Sequence, residues 1–440
     1  MSPVDDELFE HVDGTDRVAR RMPSQLSPSL WRDRDFVTLW AGQGVSEVGS
    51  QVTQIAVPVL AVLTLEASPL QVGLLAACGS VAYTVGALPA GAWVDRARKR
   101  PVMIGTDIAR AVLLASLPAA QFLGQLTLVH LYLVAVAGPA MQLLFRTASH
   151  AHLPALVQPG QLLEANAKLD GVSWAALIGG PALGGVLISV IGPARTLLVD
   201  SVSFLVSAAT IGRLRRPEPR SQPRTRQALR AELTAGMRYL WRHRLLRRMM
   251  IGNTLMSWKI AFTTPVEILF LLRELAATPL QYGLAFGMPG AGGLLGVLCV
   301  RRLVTRFGPH RVMWYSGLVR GPWVLLVPAA QPGWVGLAMV TAGWTGLLAA
   351  AAIYNTAQNT YRQQVVPPDL RGRVFTSWSW LVRLGQPLTP VLGGAAATTI
   401  GLRPTLVLGA VVLCLSSLLV DRTGGARQHS SLQGRPGRPD

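Results

Sequence analysis

A polar stripe interrupts the first long apolar run of the sequence. Gln43, Glu47, Gln51 and Gln54 are spaced by four, four and three residues, so a helix would place all four side chains on one face. An acidic side chain at the centre of a membrane costs roughly 2.5 to 3.5 kcal/mol on insertion scales, and it is therefore expected to face a cavity or a partner. A carboxylate among amides can bind a proton or a cationic group. Glu47 is therefore the first candidate for binding chemistry.

Several polar side chains have counterparts about 210 residues further along the chain. The equivalent pairs are Gln43 with Asn253, Glu47 with Ser257, Gln54 with Thr264, Arg146 with Asn355 and His150 with Asn359. Polar groups that recur at equivalent places predict the lining of one hydrated cavity, which binds substrate or protons. Structural hydrogen bonding between helices is the alternative, and for His150 a position at the cytoplasmic end of its helix is favoured.

Other charged residues also fall inside apolar runs. Asp107 and Arg110 stand three residues apart, which on a helix predicts an ion pair that stabilises an inside gate. Lys259 and Glu267 are two helical turns apart and are predicted to neutralise each other. The remaining charges of this kind are Asp200, Arg320 and Arg383.

The chain lacks the residue groupings of an enzyme or a metalloprotein. It contains no pairing of nucleophile and base and no metal-ligand cluster. The three cysteines, Cys78, Cys299 and Cys414, are far apart in apolar runs, as small buried hydrophobic residues are. No GK dipeptide occurs, so there is no Walker A loop and ATP is excluded as the direct energy source. We expect no catalysis, no cofactor and no bound metal.

Half of the 440 residues are hydrophobic, only 14% are charged, and the mean hydropathy is +0.37. Soluble domains carry roughly 25% charged residues, so this composition excludes an ordinary soluble enzyme and predicts an all-α polytopic membrane protein. Twelve apolar runs are long enough to cross a bilayer as helices. They cover residues 36–64, 69–94, 101–122, 127–149, 164–190, 194–212, 249–272, 279–300, 310–330, 334–360, 374–400 and 403–420.

The basic residues report the orientation of these spans. There are 41 basic and 22 acidic residues, a formal net charge of +19. If both termini are cytoplasmic, 32 of the 41 basic residues fall on the cytoplasmic side and three on the outer side, as the positive-inside rule requires. No folded basic domain is left over, so nucleic acid is not expected as a partner. The chain is predicted to be a multi-pass protein of the inner or cytoplasmic membrane.

The spans divide the chain into two halves joined by a basic linker. The predicted order is a cytoplasmic tail at 1–35, six helices at 36–212, a linker at 213–248, six helices at 249–420 and a second cytoplasmic tail at 421–440. The first part of the linker is rich in arginine and proline, as an unfolded segment is. Its second part predicts an interfacial helix with an apolar face made of Leu229, Leu233, Met237, Leu240 and Trp241.

The two halves are related by an internal repeat. ASPLQVGL at 67–74 matches ATPLQYGL at 277–284, and PALGGVLISVIG at 181–192 matches PVLGGAAATTIG at 390–401. Ordered matches at a constant offset indicate two homologous six-helix halves. Because six spans separate equivalent points, both halves cross the membrane in the same direction, an arrangement in which transporters bind substrate between the halves.

Two motifs carry a resemblance to a known family. GAWVDRARKR at 91–100 resembles the signature loop G-x-L-A-D-R-x-G-R-R of the major facilitator superfamily, with Gly91, Asp95 and Arg96 in place and Arg98 at the second glycine. A second segment resembles the G-P-x-x-G-G core typical of the exporters of that superfamily, and it contains Gly180, Pro181, Gly184 and Gly185. Physically, Gly91 would allow close helix contact, and the second segment would pack tightly and bend.

Fragments elsewhere are similar to the branch that contains enterobactin exporters and macrolide efflux proteins. They are LWRDRDF at 30–36, LWAGQ at 39–43, EAN at 164–166, Asp200 with SF at 203–204 and LRGRV at 370–374. The resemblance implies twelve membrane helices, with the first, fourth, seventh and tenth lining a central cavity. It also implies a monomer in lipid that exports a small organic molecule, such as a drug, siderophore or secondary metabolite, by alternating access.

Protons are the coupling ion that the resemblance favours. The arginine that drug/proton antiporters carry midway along the fourth helix is missing from the region 135–139, so a standard proton relay is not expected. An importer or facilitator on the same fold is the closest alternative function. A membrane sensor or scaffold that transports nothing is the alternative from another class.

Overall fold

The computed structural model describes residues 29–216 and 229–418, and every regular element in these two ranges is helical. A short 3₁₀ turn at Leu30–Arg32 leads into the first of six long helices. They are α1 (Arg34–Val59), α2 (Pro69–Arg96), α3 (Lys99–Phe122), α4 (Leu128–Leu156), α5 (Leu162–Ile191) and α6 (Pro193–Gly212). These six helices form the N-terminal half of the described chain.

The second described range contains a linker helix and the C-terminal half. Its elements are α7 (Leu229–Arg242), α8 (Arg244–Leu269), α9 (Pro279–Gly287), α10 (Pro289–Phe307), α11 (Pro309–Trp323), α12 (Leu326–Ala329), α13 (Trp334–Val365), α14 (Pro368–Leu384), α15 (Thr389–Ile400) and α16 (Leu402–Leu418). Proline at the first or second position begins many of these helices, because it has no amide hydrogen to leave unpaired there.

In the part of the chain that the structure describes, nine helical stretches are long and apolar enough to cross a membrane. The other three predicted spans coincide with α11 and α12, with α14 and α15, and with α16. The helix bounds therefore agree with an all-α membrane protein of two six-span halves. We call the end of the bundle with the turns at 97–98 and 308 the arginine-rich end, and the end with the turns at 65–68 and 275–278 the arginine-poor end.

The sequence repeat is also a repeat of local structure at the arginine-poor end. A π turn closes each first span of a half, at Leu60–Thr64 and at Phe270–Glu274. Each π turn is followed by a non-glycine residue in the left-handed region, Glu66 with φ of 50° and Ala276 with φ of 48°. Capping boxes then start the next helices, made by Ser68 with Gln71 and by Thr278 with Gln281.

Two glycine clamps join the halves at the arginine-poor end. In the first clamp, residues 181–185 of α5 contact residues 279–283 of α9, and a Cβ added to Gly185 would lie 2.6 Å from the Pro279 carbonyl oxygen. In the second clamp, residues 390–394 of α15 contact residues 69–73 of α2, and a Cβ on Gly73 would lie 2.5 Å from the Pro390 carbonyl oxygen. The repeated motifs of the sequence are therefore the parts that touch each other across the halves.

The linker is attached to both halves where the structure describes it. The carboxylate of Asp35, which is 8% exposed, accepts hydrogen bonds from the backbone amides of Arg215 and Arg216. At the other side of the segment 217–228, which lies outside the described residues, α7 packs on α14, with Leu240 fully buried. The predicted helix is present, and an interfacial position for its outer face stays a prediction. The tails beyond residues 29 and 418 also lie outside the described ranges.

A half-buried histidine joins α7 to α8. The Nδ1 of His243 accepts a hydrogen bond from the Leu246 amide at 3.3 Å and so caps α8, which only the neutral ring can do. Burial lowers the pKa of His243 below its ordinary value of 6.5. The unfolded chain then binds a proton more readily than the folded one, so stability is full above pH 6.5 and falls as the pH drops below it.

We expect His243→Asn to remove this pH dependence, because asparagine caps a helix without titrating. Thermal unfolding in detergent at pH 8 and pH 5 measures it. Between pH 8 and pH 5 the free energy of unfolding should fall by about 1 kcal/mol more in the wild-type protein than in the variant, because one helix cap contributes about this much. An equal loss in both proteins would contradict the assignment.

Candidate functional site

A polar cavity of about 150 Å³ lies within the N-terminal half, nearer the arginine-rich end. It is lined by α1, α3, α4 and α5. The sequence-predicted residues Gln43, Glu47, Arg146 and His150 all line it, and so does Asp170 of α5. We call it the first cavity.

An ion pair crosses the first cavity. Nη2 of Arg146 lies 3.2 Å from Oε1 of Glu47, and the side chains are 51% and 21% exposed. A pair at this level of exposure is worth little, because solvent screens it and each group stays hydrated. Opening the pair therefore costs little free energy, and it leaves a carboxylate and a guanidinium free to bind a ligand.

A hydrogen bond connects the same two helices one turn away. Nε2 of Gln43 donates to Oγ of Ser149 at 2.6 Å. Together with the Glu47–Arg146 pair, this bond gives α1 and α4 a continuous polar wall.

A second cavity of about 260 Å³ lies beyond the first, towards the arginine-poor end. Its walls are mainly apolar, and α8 of the other half contributes Ile268. Gln54 and Asp200 are among its polar residues. Ser50, Arg110 and Gln142 line both cavities, so the two are neighbours along one axis. A polar entrance followed by an apolar chamber suits an organic molecule with a polar group at one end.

Three charged side chains are buried where the cavities meet. Asp107 is 0% exposed, Asp200 1% and Arg110 7%. Nη1 of Arg110 is 3.7 Å from Oδ1 of Asp107, and the guanidinium stacks on the Phe204 ring at 3.7 Å. Asp107 and Arg110 are thus adjacent, as their spacing predicted, although they share no hydrogen bond, and Asp200 of α6 completes a group of three. No sequence pattern indicated this grouping beyond the presence of Asp200 in an apolar run.

Gln51 does not face either cavity. It is 6% exposed, and a Cβ on Gly180 of α5 would collide with its side chain. Gly184 of the same motif lies against Val52, and Gly185 belongs to the first clamp. The G-P-x-x-G-G segment therefore packs α5 against both α1 and α9, as its small residues predicted.

The C-terminal counterparts of the polar stripe lie apart from the two cavities. Ser257 accepts a hydrogen bond from Gln386 at 3.0 Å, and Asn359 accepts one from Arg362. Asn253 and Asn355 also line neither cavity. Neither of these two cavities therefore collects the polar groups of both halves, and a binding role for the C-terminal residues stays a prediction. The reason is that both cavities are enclosed almost wholly by the N-terminal half.

The signature loop lies at the arginine-rich end, between α2 and α3. Nζ of Lys99 donates to the carbonyl oxygens of Asp95 and Ala97, which ends α2. Arg96 and Arg98 are exposed beside it. A Cβ on Gly91 would meet nothing within 4 Å, so the close helix contact predicted for this glycine is not found.

The C-terminal half has its own buried charges. Nζ of Lys259 is 3.6 Å from Oε1 of Glu267, and the two side chains are 2% and 13% exposed, so the predicted neutralisation is confirmed. Arg383 and Tyr83 line a cavity of about 430 Å³ between α14 and α2. Among the described residues, no group of three histidine, cysteine or acidic side chains has a metal-binding arrangement.

Comparison with known proteins identifies a family whose sequence profile matches this chain, and relatives of similar length. The sequence profile of a family described as transmembrane secretion effector matches residues 24–431. The chain is 27% identical over 402 residues to the multidrug efflux pump Tap of Mycolicibacterium fortuitum, covering 87% of this chain and 95% of that protein. It is 25% identical over 395 residues to macrolide efflux protein A of Streptococcus pyogenes, covering 87% and 94%.

Two solved structures share the fold. A bacterial homologue of the iron transporter ferroportin in an inward-facing state aligns with a TM-score of 0.71 and 17% identity, covering 88% of this chain and 98% of that one. The nucleoside transporter NupG aligns with a TM-score of 0.70 and 12% identity, covering 88% and 99%.

Proposed function

Because this chain belongs to the transmembrane secretion effector family of the major facilitator superfamily, and is therefore a multi-pass membrane transporter, we propose that it exports small organic molecules in exchange for protons. Relatives named as multidrug and macrolide efflux proteins, which align over most of their length, support export. The proposed location is the cytoplasmic membrane, with both termini cytoplasmic. The transporter acts as a monomer surrounded by lipid.

The Glu47–Arg146 pair is the observation that carries this proposal. A weak, half-hydrated ion pair between two helices of one cavity exchanges partners at small cost. A proton or the cationic group of a substrate competes with Arg146 for the Glu47 carboxylate. Gln43 and His150 border the same space and orient the ligand by hydrogen bonds.

The glycine clamps support alternating access. Both clamps close the arginine-poor end, which on the positive-inside rule faces outward. The first cavity lies nearer the opposite end, from which substrate enters. The apolar second cavity then holds the body of the molecule. Opening the clamps and closing the arginine-rich end releases it on the outer side.

Replacing Glu47 with glutamine tests the assignment. Export of ethidium, used as a probe, is followed in inside-out membrane vesicles with an imposed proton gradient. We expect Glu47→Gln to abolish gradient-driven ethidium accumulation, with a loss of at least about tenfold, while the amount of folded protein is unchanged, because the amide has the same shape but binds no proton.

The matched control is Glu164→Gln. Glu164 is half-exposed, pairs with Lys168 one turn away and lies outside both cavities, so its loss should leave export intact. Unchanged gradient-driven export in Glu47→Gln would refute the role of Glu47. Accumulation in the reverse direction, in right-side-out vesicles, would identify an importer instead.

A further inference from the structure

Asp107 is a buried acid whose oxygens have no hydrogen-bond partner. Its side chain is 0% exposed, and neither Oδ1 nor Oδ2 has such a partner among the described residues. Nη1 of Arg110 is 3.7 Å from Oδ1, beyond hydrogen-bond distance. The Ser207 hydroxyl of α6 is also buried and faces Asp107, outside the distance of a regular hydrogen bond. Burying an ionised carboxylate in this way is far more costly than burying the neutral acid.

Asp200 has the opposite surroundings. Its Oδ2 accepts a hydrogen bond from the Thr53 hydroxyl at 2.5 Å, and its Oδ1 shares the Ser203 hydroxyl hydrogen, at 2.8 Å, with the backbone carbonyl oxygen of Asp200. Gly49 of α1 leaves the room that this carboxylate occupies, since a Cβ there would collide with Oδ1. Two donated hydrogen bonds favour the ionised form of a carboxylate. Asp200 is therefore the acid that keeps its negative charge.

Arg110 lies near both acids, and its single positive charge can neutralise only one of them. Its Nη2 donates to Oγ of Ser50 on α1 at 3.1 Å, and its guanidinium stacks on the Phe204 ring. With Arg110 and Asp200 both charged, the group is neutral only if Asp107 holds a proton. A net charge in this buried place would otherwise lack compensation.

The other titratable groups that face the three do not change this balance. Glu47 of α1 and Arg146 of α4 neutralise each other in the first cavity. Tyr83 of α2 donates a hydrogen bond to Gln142 at 2.8 Å and is neutral. The unbalanced charge therefore belongs to the group formed by Asp107, Arg110 and Asp200.

We propose that these three residues form a proton-binding site, distinct from Glu47, in which Asp107 carries the proton while the arginine-poor end is closed. The proton leaves when Arg110 releases Ser50 and forms a direct ion pair with Asp107. Arg110 lines both cavities, so its movement opens a path from Asp107 to the water of the first cavity. Because Ser50 is on α1, the exchange links the proton to the helix that carries Glu47. Its use in transport rests on the proposed function; its existence does not.

The C-terminal half provides an internal comparison. The repeat places Arg320 at the position of Arg110, but Gly317 and Gly409 stand where Asp107 and Asp200 would be. Arg320 is fully buried, and its Nη1 contacts Sδ of Met256 at 3.2 Å. The arginine is thus present in both halves and the acids in one only. The site is therefore confined to the N-terminal half.

Infrared spectroscopy tests the site without any transported substrate. In purified protein labelled with ¹³C at the aspartate carboxyl groups, we expect at pH 7 the carbonyl band of one protonated aspartic acid. Asp107→Asn should remove this band. Asp200→Asn should remove it as well, because Arg110 then has only Asp107 as an anionic partner. Asp170→Asn, at the exposed acid of the first cavity, and Glu47→Gln should both leave it unchanged.

The results separate this site from the proposed function. A wild-type spectrum without a protonated aspartate at pH 7 would refute the proton site, even if no variant folds. So would a band that persists in Asp107→Asn. If the band behaves as expected but Asp107→Asn still exports ethidium with full dependence on the proton gradient, the site exists and its coupling role is wrong. Loss of that dependence in Asp107→Asn, with ethidium still moving down its own gradient, supports both.

Discussion

Substituting alanine for Gly185 is expected to lower transport by roughly tenfold. A Cβ at this position would lie 2.6 Å from the Pro279 carbonyl oxygen and 2.9 Å from Cα of Leu280, and both atoms belong to the backbone of α9. Backbone atoms cannot rotate away, so the two helices must separate. Overpacking of this kind costs about 1 to 3 kcal/mol, and 1.4 kcal/mol changes a population tenfold. The conformation with a closed arginine-poor end therefore becomes rare.

Gly394→Ala should have the same effect, because the second clamp is built alike. Its Cβ would collide with the Pro69 carbonyl oxygen of α2. The measurement is ethidium export by proteoliposomes, together with labelling of a cysteine introduced near the closed end to report its opening. Gly179→Ala is the matched control on α5, since a Cβ there would meet nothing within 4 Å. Full export by either clamp variant would show that the closed end is not part of the cycle.

Arg110→Met should be the most damaging substitution in the helices of the N-terminal half. It takes the nearby guanidinium away from the buried, ionised Asp200. Removing one partner of a buried ion pair costs about 3 to 5 kcal/mol. The expected result is a clear loss of folded protein, measured by size-exclusion chromatography after heating. Adding Asp200→Asn removes the uncompensated charge and should restore most of that loss.

Arg320→Met is the matched control in the other half. Arg320 is as deeply buried, but Nε and Nη2 have no hydrogen-bond partner among the described residues, and its guanidinium lies over the Tyr354 ring at 4.7 Å. Replacing a buried charge that has no ionic partner by an apolar side chain of similar length is expected to be neutral or stabilising. Equal damage from both substitutions would contradict the contrast between the halves.

The fold follows closely from the sequence because helix spans depend on local composition. The run predicted at 69–94 is a helix at Pro69–Arg96, and the run at 334–360 is one at Trp334–Val365. Ends differ by a few residues since polar helical turns continue beyond the apolar part. The predicted spans located only the helices, whereas the internal repeat also identified segments that contact each other. The repeated motifs at 67–74 and 390–401 meet in the second clamp.

The candidate site was only partly predictable, since periodicity identifies a face of a helix but not the helix opposite. Glu47 and Arg146 were both expected in a cavity, yet their pairing across α1 and α4 required the structure. Gln51 shares the face of Glu47 by spacing, but α5 covers it. Asp200 is 90 residues beyond Arg110 in the chain, so no local pattern connects them. The repeat does not reveal which half encloses the two cavities, so their position away from the C-terminal counterparts also required the structure.

In both clamps, main-chain atoms of one helix pack against glycines of the other, which have no side chain. The surfaces that meet are carbonyl oxygens of prolines and the bare backbone of glycines, so the side chains next to them contribute little to the fit. The residues that line the cavities belong mostly to other parts of the helices. Selection for a new substrate can thus alter the cavity walls while the moving parts stay intact. A population exposed to a new toxic compound would acquire resistance through changes in the walls, with the clamp glycines unchanged.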